Sequence, residues 1–149
     1  MLIESRSATD PELAALVTAQ QRELRDADGG LDGQVTVVRD DVRYLVCVVD
    51  GRTVACGGIQ ALDRDTAEIK RMFVRPGHRG RGIARHLLIA LEELAYAAGH
   101  TVLRLETGSY LPAALRLYAS AGYHQIPVYG EYVENPYSVC FEKRLPVPA

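Results

Sequence analysis

The sequence predicts a single domain of the α/β (α+β) class, built on a mixed and mostly antiparallel sheet that helices flank. Three β-rich segments with tight turns between them follow one another within residues 44–74, which favours an antiparallel meander. Further along the chain, segments with helical spacing of apolar residues alternate with β-rich segments, which favours a parallel crossover. A chain of 149 residues is long enough to bury one core of its own.

The first predicted elements are a short strand and a helix. Leu2 and Ile3 begin the strand, and the run Thr9-Asp10-Pro11-Glu12 is typical of a capping box with proline in the first helical turn. Apolar residues then follow at mostly helical spacing, namely Leu13, Leu16, Val17 and Leu24. We expect the helix to fray into the acidic, glycine-rich residues 26–33, a mobile loop or short helix that either shapes a substrate mouth or only connects two elements.

The meander follows this segment. Its first strand, residues 44–49, runs into Asp50-Gly51, which is the strongest short hairpin signal in the chain. Its second strand, residues 53–62, contains Gly57-Gly58, and paired glycines in a strand indicate a bulge or a close backbone approach. A further turn leads into the third strand, residues 67–74.

A helix predicted over residues 83–98 connects the meander to the next strand. Its apolar residues form one face, and Gly99 is well placed for the left-handed residue that ends many helices. The strand that follows, residues 101–107, is joined through this helix and therefore lies parallel to the strand before it.

The C-terminal segments complete the predicted sheet. Pro112 opens another helix, which stops near Gly122. Residues 138–142 form the last strand, and residues 123–128 are a candidate for one more short strand. The pattern therefore predicts six to seven strands.

Composition limits the function classes. The formal net charge is −2, from 17 basic and 19 acidic residues, so no overall field favours nucleic acid or an anionic membrane. The chain shows neither an N-terminal signal segment nor an apolar run long enough to span a membrane, and we expect a cytoplasmic protein. The three cysteines, Cys47, Cys56 and Cys140, include no C-x-x-C pair, so we expect buried thiols and no metal site.

The residues with the strongest functional signal are 74–84, a glycine- and arginine-rich run between a predicted strand and a predicted helix. Glycines let the backbone come close to a ligand, and a helix N-terminus favours a phosphate group. The run is not a Walker A loop, because the chain contains no Gly-Lys pair. Gly80-x-Gly82 is followed by Arg85 where a dinucleotide fingerprint needs glycine.

The pattern Arg79-x-x-Gly82-x-Ala84 resembles the acetyl-CoA signature of the GNAT superfamily of N-acetyltransferases. The resemblance is to a small, bacterial-type, single-domain member, and it covers nearly the whole chain. It implies the GNAT fold, with about four helices around the sheet, and acetyl-CoA as co-substrate. It also implies a set of cofactor-binding residues, of which the first three act through their main chain on the pantetheine arm: Met72, Phe73, Val74, Arg79, Gly80, Arg81, Gly82, Ile83 and Ala84.

Glu68 is the candidate catalytic base. It lies eleven residues before Arg79, the spacing at which the histone-acetylating branch of the superfamily places its catalytic glutamate. An alkyl amine is mostly protonated near pH 7 and must lose a proton before it attacks. Two alternatives stay open for Glu68, a structural salt bridge with Lys70 or Arg71 and direct binding of the substrate's ammonium group.

Tyr118 is the candidate general acid. It lies in the run Ala114-Leu115-Arg116-Leu117-Tyr118, which resembles the superfamily helix whose tyrosine protonates the departing thiolate. A phenol suits that task, although a helical tyrosine is often only a core residue. One position departs from the pattern, because Leu111 stands where many members have a cofactor-contacting Asn or Gln.

Acidic and aromatic residues cluster before the last strand, where the superfamily often builds its acceptor site. Tyr129, Glu131 and Tyr132 are the candidate substrate-binding residues, and their combination suits a cationic amine. A solvated loop is the alternative interpretation of this segment.

These observations predict an N-acetyltransferase that moves an acetyl group from acetyl-CoA to a primary amine of a small molecule, such as an amino acid, a polyamine or an antibiotic-like amine. We expect direct attack in a ternary complex, without a metal and without nucleic-acid or membrane partners, and a homodimer stays open. The alternatives are a protein or peptide N-acetyltransferase, a catalytically silent CoA-binding regulatory domain, and an RNA-binding module that uses the arginine-rich loop.

Overall fold

A computed structural model describes residues 1–29 and 39–146 and confirms the predicted mixed, mostly antiparallel sheet. Its seven strands are β1 (Leu2–Arg6), β2 (Arg43–Val49), β3 (Arg52–Ala61), β4 (Thr66–Val74), β5 (Val102–Gly108), β6 (His124–Ile126) and β7 (Ser138–Arg144). The described ranges hold three α-helices, α1 (Pro11–Asp28), α2 (Ile83–Ala97) and α3 (Pro112–Ser120). None of these three helices is long and apolar enough to cross a membrane.

The strands lie in the order β1-β2-β3-β4-β5-β7-β6, and β4 with β5 is the parallel pair. Helix α2 supplies the crossover that a parallel pair needs. The pairing joins Thr66–Ile69 to Val102–Leu105 and does not extend beyond them, so β4 and β5 separate over their C-terminal halves. This separation opens a slot in the middle of the sheet.

The glycine pair of β3 lies at a bulge, as predicted. The register between β3 and β4 shifts between Cys56 and Gly58, and a Cβ on Gly57 would lie 2.7 Å from the sulfur of Met72. On the facing strand Arg71 adopts a left-handed backbone conformation with φ of 61°, which a non-glycine residue rarely takes. The bulge therefore reshapes β4 just where it leaves β5.

The buried apolar residues of the described ranges form two clusters. Helices α2 and α3 contribute to the larger cluster, in which Leu87 and Leu91 of α2 are fully buried with Leu103 of β5. Helix α1 packs its Leu13 and Leu16 in a second cluster with residues of β2, β3 and β4. All three cysteines are fully buried and carry free thiols, as the sequence predicts.

Two predicted turns are confirmed. Asp50 and Gly51 both have positive φ, 51° and 76°, which is the backbone of a tight two-residue hairpin turn. Gly99 follows the end of α2 with φ of 97°, in the left-handed conformation expected there.

The ends of α1 differ from the prediction. The N-cap is Asp10, whose carboxylate accepts a hydrogen bond from the Leu13 N–H at 2.9 Å. The predicted capping box with Thr9 is wrong, because the Glu12 carboxylate binds Arg6 and Thr53 instead of closing it. The helix also continues to Asp28 before Gly29 ends it, so it does not fray at residue 26. The rest of the predicted loop or short helix, residues 30–33, lies outside the described ranges.

Candidate active site

A cavity of about 770 Å³ lies where β4 and β5 separate. The glycine-rich loop and the start of α2 form one end, α3 borders its side, and Lys70 and Tyr132 lie on its wall as well. Eight of the nine predicted cofactor-binding residues border this cavity, and the exposed Arg81 is the exception. The fold thus brings the predicted donor and acceptor regions to one cavity.

The loop before α2 presents backbone donors. Gly80 and Gly82 have φ of 77° and 80°, a conformation that glycine adopts without strain. Gly82 is the N-cap of α2, and no side chain in the described part of the chain caps this helix end. The first N–H groups of α2, from Ile83 onward, are therefore open to an anion at the positive end of the helix dipole.

The backbone of β4 along the slot carries contacts that sequence reasoning missed. The Gln20 side chain of α1 donates from Nε2 to the Met72 carbonyl at 2.9 Å, and the Arg79 side chain donates from Nε to the Val74 carbonyl at 2.8 Å. The Oε1 atom of Gln20 is buried and has no hydrogen-bond partner within the described ranges, and Gln20 borders the cavity. Gln20 thus brings an unused acceptor to this part of the wall.

Tyr118 lies on the cavity wall and is 6 % exposed. Its ring packs edge-on against Tyr123 with 5.9 Å between ring centroids, and lies 6.2 Å from the ring of Phe141. Burial alone raises the pKa of Tyr118 well above its ordinary value, because the phenolate would lose its solvation. The hydroxyl therefore keeps its proton over the whole neutral range.

Glu68 lies at the centre of a buried polar cluster and is 2 % exposed. Its carboxylate accepts hydrogen bonds from the hydroxyl of Tyr129 and, at 3.0 Å, from that of Tyr132, and it forms an ion pair with Lys70. The salt bridge with Lys70 that the sequence left open is present. Tyr132 and Lys70 border the cavity, whereas Glu68 does not.

The three predicted acceptor-site residues differ in whether they border the cavity. Tyr132 is buried on the cavity wall, and Glu131 borders the cavity with 71 % of its side chain exposed. Tyr129 does not border the cavity, and the guanidinium of Arg104 lies over its ring at 5.1 Å. Glu106 lies on the same wall, and its carboxylate accepts a 2.6 Å hydrogen bond from Ser138.

Leu111, the residue that departs from the GNAT pattern, also borders the cavity. It is the N-cap of α3, where its side chain makes no capping hydrogen bond. An apolar side chain at this point supplies packing and no polar contact.

The sequence profile of the acetyltransferase (GNAT) family matches residues 6–123. A protein from Azospirillum brasilense named IAA acetyltransferase is 38 % identical over 138 residues, which cover 91 % of this chain and 85 % of that protein.

Solved structures agree with this match. A Klebsiella pneumoniae protein described as an acyl-CoA N-acyltransferase is 34 % identical, with a TM-score of 0.83 and 97 % of each chain covered. A GNAT family acetyltransferase from Elizabethkingia anophelis, solved with acetyl-CoA bound, has a TM-score of 0.73 at 19 % identity, again over 97 % of each chain. At that identity the likeness concerns the fold.

Proposed function

Because the chain belongs to the acetyltransferase (GNAT) family, we propose that it transfers an acetyl group from acetyl-CoA to the primary amine of a small molecule, such as an amino acid, a polyamine or an antibiotic-like amine. The observation that carries the proposal is one continuous cavity in the slot between β4 and β5. It is continuous from the glycine-rich loop to Tyr132, with Tyr118 on its wall. An anionic cofactor and a cationic acceptor can therefore meet inside one site.

The residues at the glycine-rich end suit the pyrophosphate of acetyl-CoA. Gly80 and Gly82 leave the backbone open, since a Cβ on Gly80 would meet no atom within 4 Å. The uncapped N–H groups at the start of α2 supply donors, and the Arg79 guanidinium supplies positive charge. When bound, acetyl-CoA supplies an activated thioester whose acetyl group can pass to an amine.

The pantetheine arm has amide groups of its own, and the slot offers partners for them. The main chain of β4 is unpaired with β5 beyond Ile69, and the Met72 and Val74 carbonyls, which each accept one side-chain hydrogen bond there, keep a second lone pair. The unused Oε1 of Gln20 can accept one N–H of such an arm. We therefore propose that Met72, Phe73 and Val74 hold the arm, with Gln20 as an additional contact.

Tyr118 is proposed as the general acid. Tyr118 borders the cavity and its hydroxyl stays protonated because of burial, so it can give its proton to the sulfur atom that leaves. A general acid of this kind must hold its proton until the thiolate forms, and a raised pKa ensures that.

Direct attack by the amine is favoured by the state of the cysteines. None of the three thiols borders the cavity, and burial raises the pKa of Cys56 to about 12. A buried, protonated thiol is a poor nucleophile. A covalent acetyl-cysteine therefore has no suitable residue within the described ranges.

A catalytically silent CoA-binding domain is the second candidate. Leu111 favours it, because this side chain offers no polar contact to a cofactor where it borders the cavity. This candidate shares acetyl-CoA binding with the enzyme and differs from it in turnover alone.

The experiment that separates the two candidates is a turnover assay with acetyl-CoA and a panel of primary amines. Release of free CoA thiol would be followed together with the mass of the acetylated amine. Acetylation of at least one small amine supports the proposed enzyme. Binding of acetyl-CoA without acetylation of any amine would support the silent domain, and acetylation of peptide N-termini alone would support a protein acetyltransferase.

A further inference from the structure

The buried cluster around Glu68 separates this carboxylate from the cavity. Glu68 and Lys70 lie two residues apart on β4 and so share one face of the sheet. Tyr132 covers them from the segment before β7, and Tyr132 and Lys70 border the cavity while Glu68 does not. These two side chains therefore link an acceptor amine in the cavity to Glu68.

The hydroxyl of Tyr132 is placed between a donor and an acceptor. Its oxygen accepts a hydrogen bond from Lys70 Nζ at 2.8 Å, and its proton points to Glu68 Oε1 at 3.0 Å. A phenolic oxygen has two lone pairs, of which Lys70 uses one. The second lone pair is left for a proton donor in the cavity, and an alkyl ammonium is such a donor.

Other charges surround this cluster. Arg104 lies opposite Glu68 on β5, over the ring of Tyr129, and forms its ion pair with Glu142 at 2.9 Å. Burial and the negative charge of Glu68 keep the pKa of the Tyr132 phenol far above its ordinary value. Glu131 and Glu106 raise the pKa of Tyr132 further. The phenol is thus neutral at neutral pH.

We propose that Tyr132 is a catalytic residue that relays a proton from the acceptor amine to Glu68. This inference rests on the proposed function. An N–H bond of the acceptor's ammonium group breaks and its proton forms an O–H bond on Tyr132, while the original hydroxyl proton of Tyr132 passes to Glu68 Oε1. The N–H electron pair stays on nitrogen, which becomes the nucleophile. After the product leaves, Glu68 returns the proton to water along the same path.

This proposal gives Glu68 and Lys70 separate tasks. Glu68 is the terminal proton acceptor, although it does not touch the substrate. Lys70 holds the Tyr132 oxygen through its 2.8 Å hydrogen bond and is a positioning residue. The base predicted at Glu68 and the burial of that carboxylate are then compatible.

Tyr129 provides a matched comparison. Its hydroxyl also donates to the Glu68 carboxylate, to the other oxygen, but Tyr129 does not border the cavity. Tyr129→Phe and Tyr132→Phe therefore each remove one hydroxyl from the same carboxylate. Of the two changes, Tyr132→Phe alone removes the group that can contact the acceptor.

The test compares kcat/KM for Tyr132→Phe, Tyr129→Phe, Glu68→Gln and the double variant Glu68→Gln/Tyr132→Phe from about pH 6.5 to about pH 10. The acceptor is whichever of glycine, lysine, spermidine and kanamycin the parent protein acetylates fastest. For Tyr132→Phe we expect a loss of about 100-fold at pH 7, which shrinks towards pH 10 as the amine loses its proton unaided. Glu68→Gln should show the same loss of kcat/KM and the same pH dependence as Tyr132→Phe, and the double variant should lose no more than either single variant. For Tyr129→Phe the loss of kcat/KM should be at least about tenfold smaller, and its pH profile should keep the shape of the parent's.

Several outcomes would overturn the relay. An equal loss at every pH for Tyr132→Phe, a multiplied loss in the double variant, or the same profile change in Tyr129→Phe would each indicate a structural role. Unchanged kinetics in Tyr132→Phe would remove the relay while leaving the acetyltransferase intact. A parent protein that binds acetyl-CoA by calorimetry and acetylates none of the four amines would overturn the proposed function and the relay together. Thermal melts of each variant separate these results from loss of folding.

Discussion

Arg79 of the glycine-rich loop and Glu23 of α1 form an ion pair, in which one terminal nitrogen of the guanidinium donates to both carboxylate oxygens, at 2.8 Å and 2.7 Å. Both side chains border the cavity and are about 40 % exposed. Glu23 thus pairs with the guanidinium charge that the proposed cofactor site would offer to a phosphate. In the proposed site, the carboxylate and the pyrophosphate of acetyl-CoA would compete for the same guanidinium.

We expect Glu23→Gln to tighten acetyl-CoA binding by roughly 2–5-fold, because a partly exposed ion pair contributes up to about 1 kcal/mol and the negative charge near the phosphates is removed. Arg79→Gln should weaken binding. Calorimetric titration at low and high salt measures both effects, which should shrink as salt screens them. Glu93→Gln, the same change at an exposed site on α2 away from the cavity, is the matched control. Weaker binding by Glu23→Gln would instead show that Glu23 positions Arg79.

Tyr118→Phe should lower kcat by roughly 10²–10⁴-fold, the usual contribution of a general acid, with little change in the affinity for acetyl-CoA. The substitution removes the hydroxyl and keeps the ring that packs against Tyr123 and Phe141. Steady-state kinetics and calorimetry together check this result.

Tyr123→Phe is the control for Tyr118→Phe. The Tyr123 hydroxyl lies away from the cavity and donates to the buried Glu92 at 2.7 Å. Its loss should cost about 1–2 kcal/mol of stability and leave kcat near the parent value. If Tyr118→Phe kept the parent's kcat, Tyr118 would not be the general acid.

The buried tyrosines predict a loss of stability in alkaline solution. Burial raises the pKa of Tyr118, Tyr123, Tyr129 and Tyr132 in the folded chain, whereas in the unfolded chain these phenols ionise near pH 10. Above about pH 10 the unfolded state binds fewer protons than the folded state, so the free energy of unfolding falls with rising pH. Each such tyrosine contributes a slope of about 1.4 kcal/mol per pH unit.

Urea unfolding between about pH 9 and about pH 11 checks this slope. The free energy of unfolding of Tyr123→Phe should fall less steeply with rising pH than that of the parent, since one of the phenols is gone. If the free energies of unfolding of the parent and the variant fell with the same slope, Tyr123 would have the same pKa in the folded and unfolded states.

Kinetics should show a ternary complex. We expect intersecting initial-velocity lines and no acetylated protein after incubation with acetyl-CoA alone, because Cys47, Cys56 and Cys140 are all fully buried. Mass spectrometry of the intact protein makes the second observation directly. A stoichiometric acetyl adduct that maps to one cysteine, and that disappears when that cysteine is replaced by alanine, would contradict direct attack.

Local sequence patterns were sufficient for most elements of the fold. Asp50-Gly51 predicts its turn because few residue pairs tolerate two positive φ angles, and the apolar face of α2 follows from helical spacing alone. The position of β7 between β5 and β6 could not be predicted in this way, because it depends on pairing between distant segments. The α1 cap was misassigned because Thr9 and Asp10 are both good cap residues and tertiary contacts of Glu12 decide between them.

The candidate site likewise contains residues that local sequence patterns predict and contacts that they do not predict. The glycine-rich loop and Tyr118 belong to continuous patterns, so the sequence locates them. Contacts in the site join residues that are far apart in the chain: Glu23 and Arg79 differ by 56 in residue number, Gln20 and Met72 by 52, and Glu68 and Tyr132 by 64. Such contacts arise from tertiary packing, and no local pattern predicts them.

The central claim, that the glycine-rich loop is the acetyl-CoA site, is tested most directly by calorimetric titration with acetyl-CoA of the parent, Gly82→Trp and Gly51→Trp. Both glycines have positive φ, 80° and 76°, but Gly51 lies in the turn between β2 and β3, away from the cavity. The two substitutions therefore impose similar backbone strain and differ in whether the indole fills the phosphate end. We predict saturable binding by the parent and by Gly51→Trp, and none by a folded Gly82→Trp. Equal binding by all three, or no binding by the folded parent, would contradict the claim.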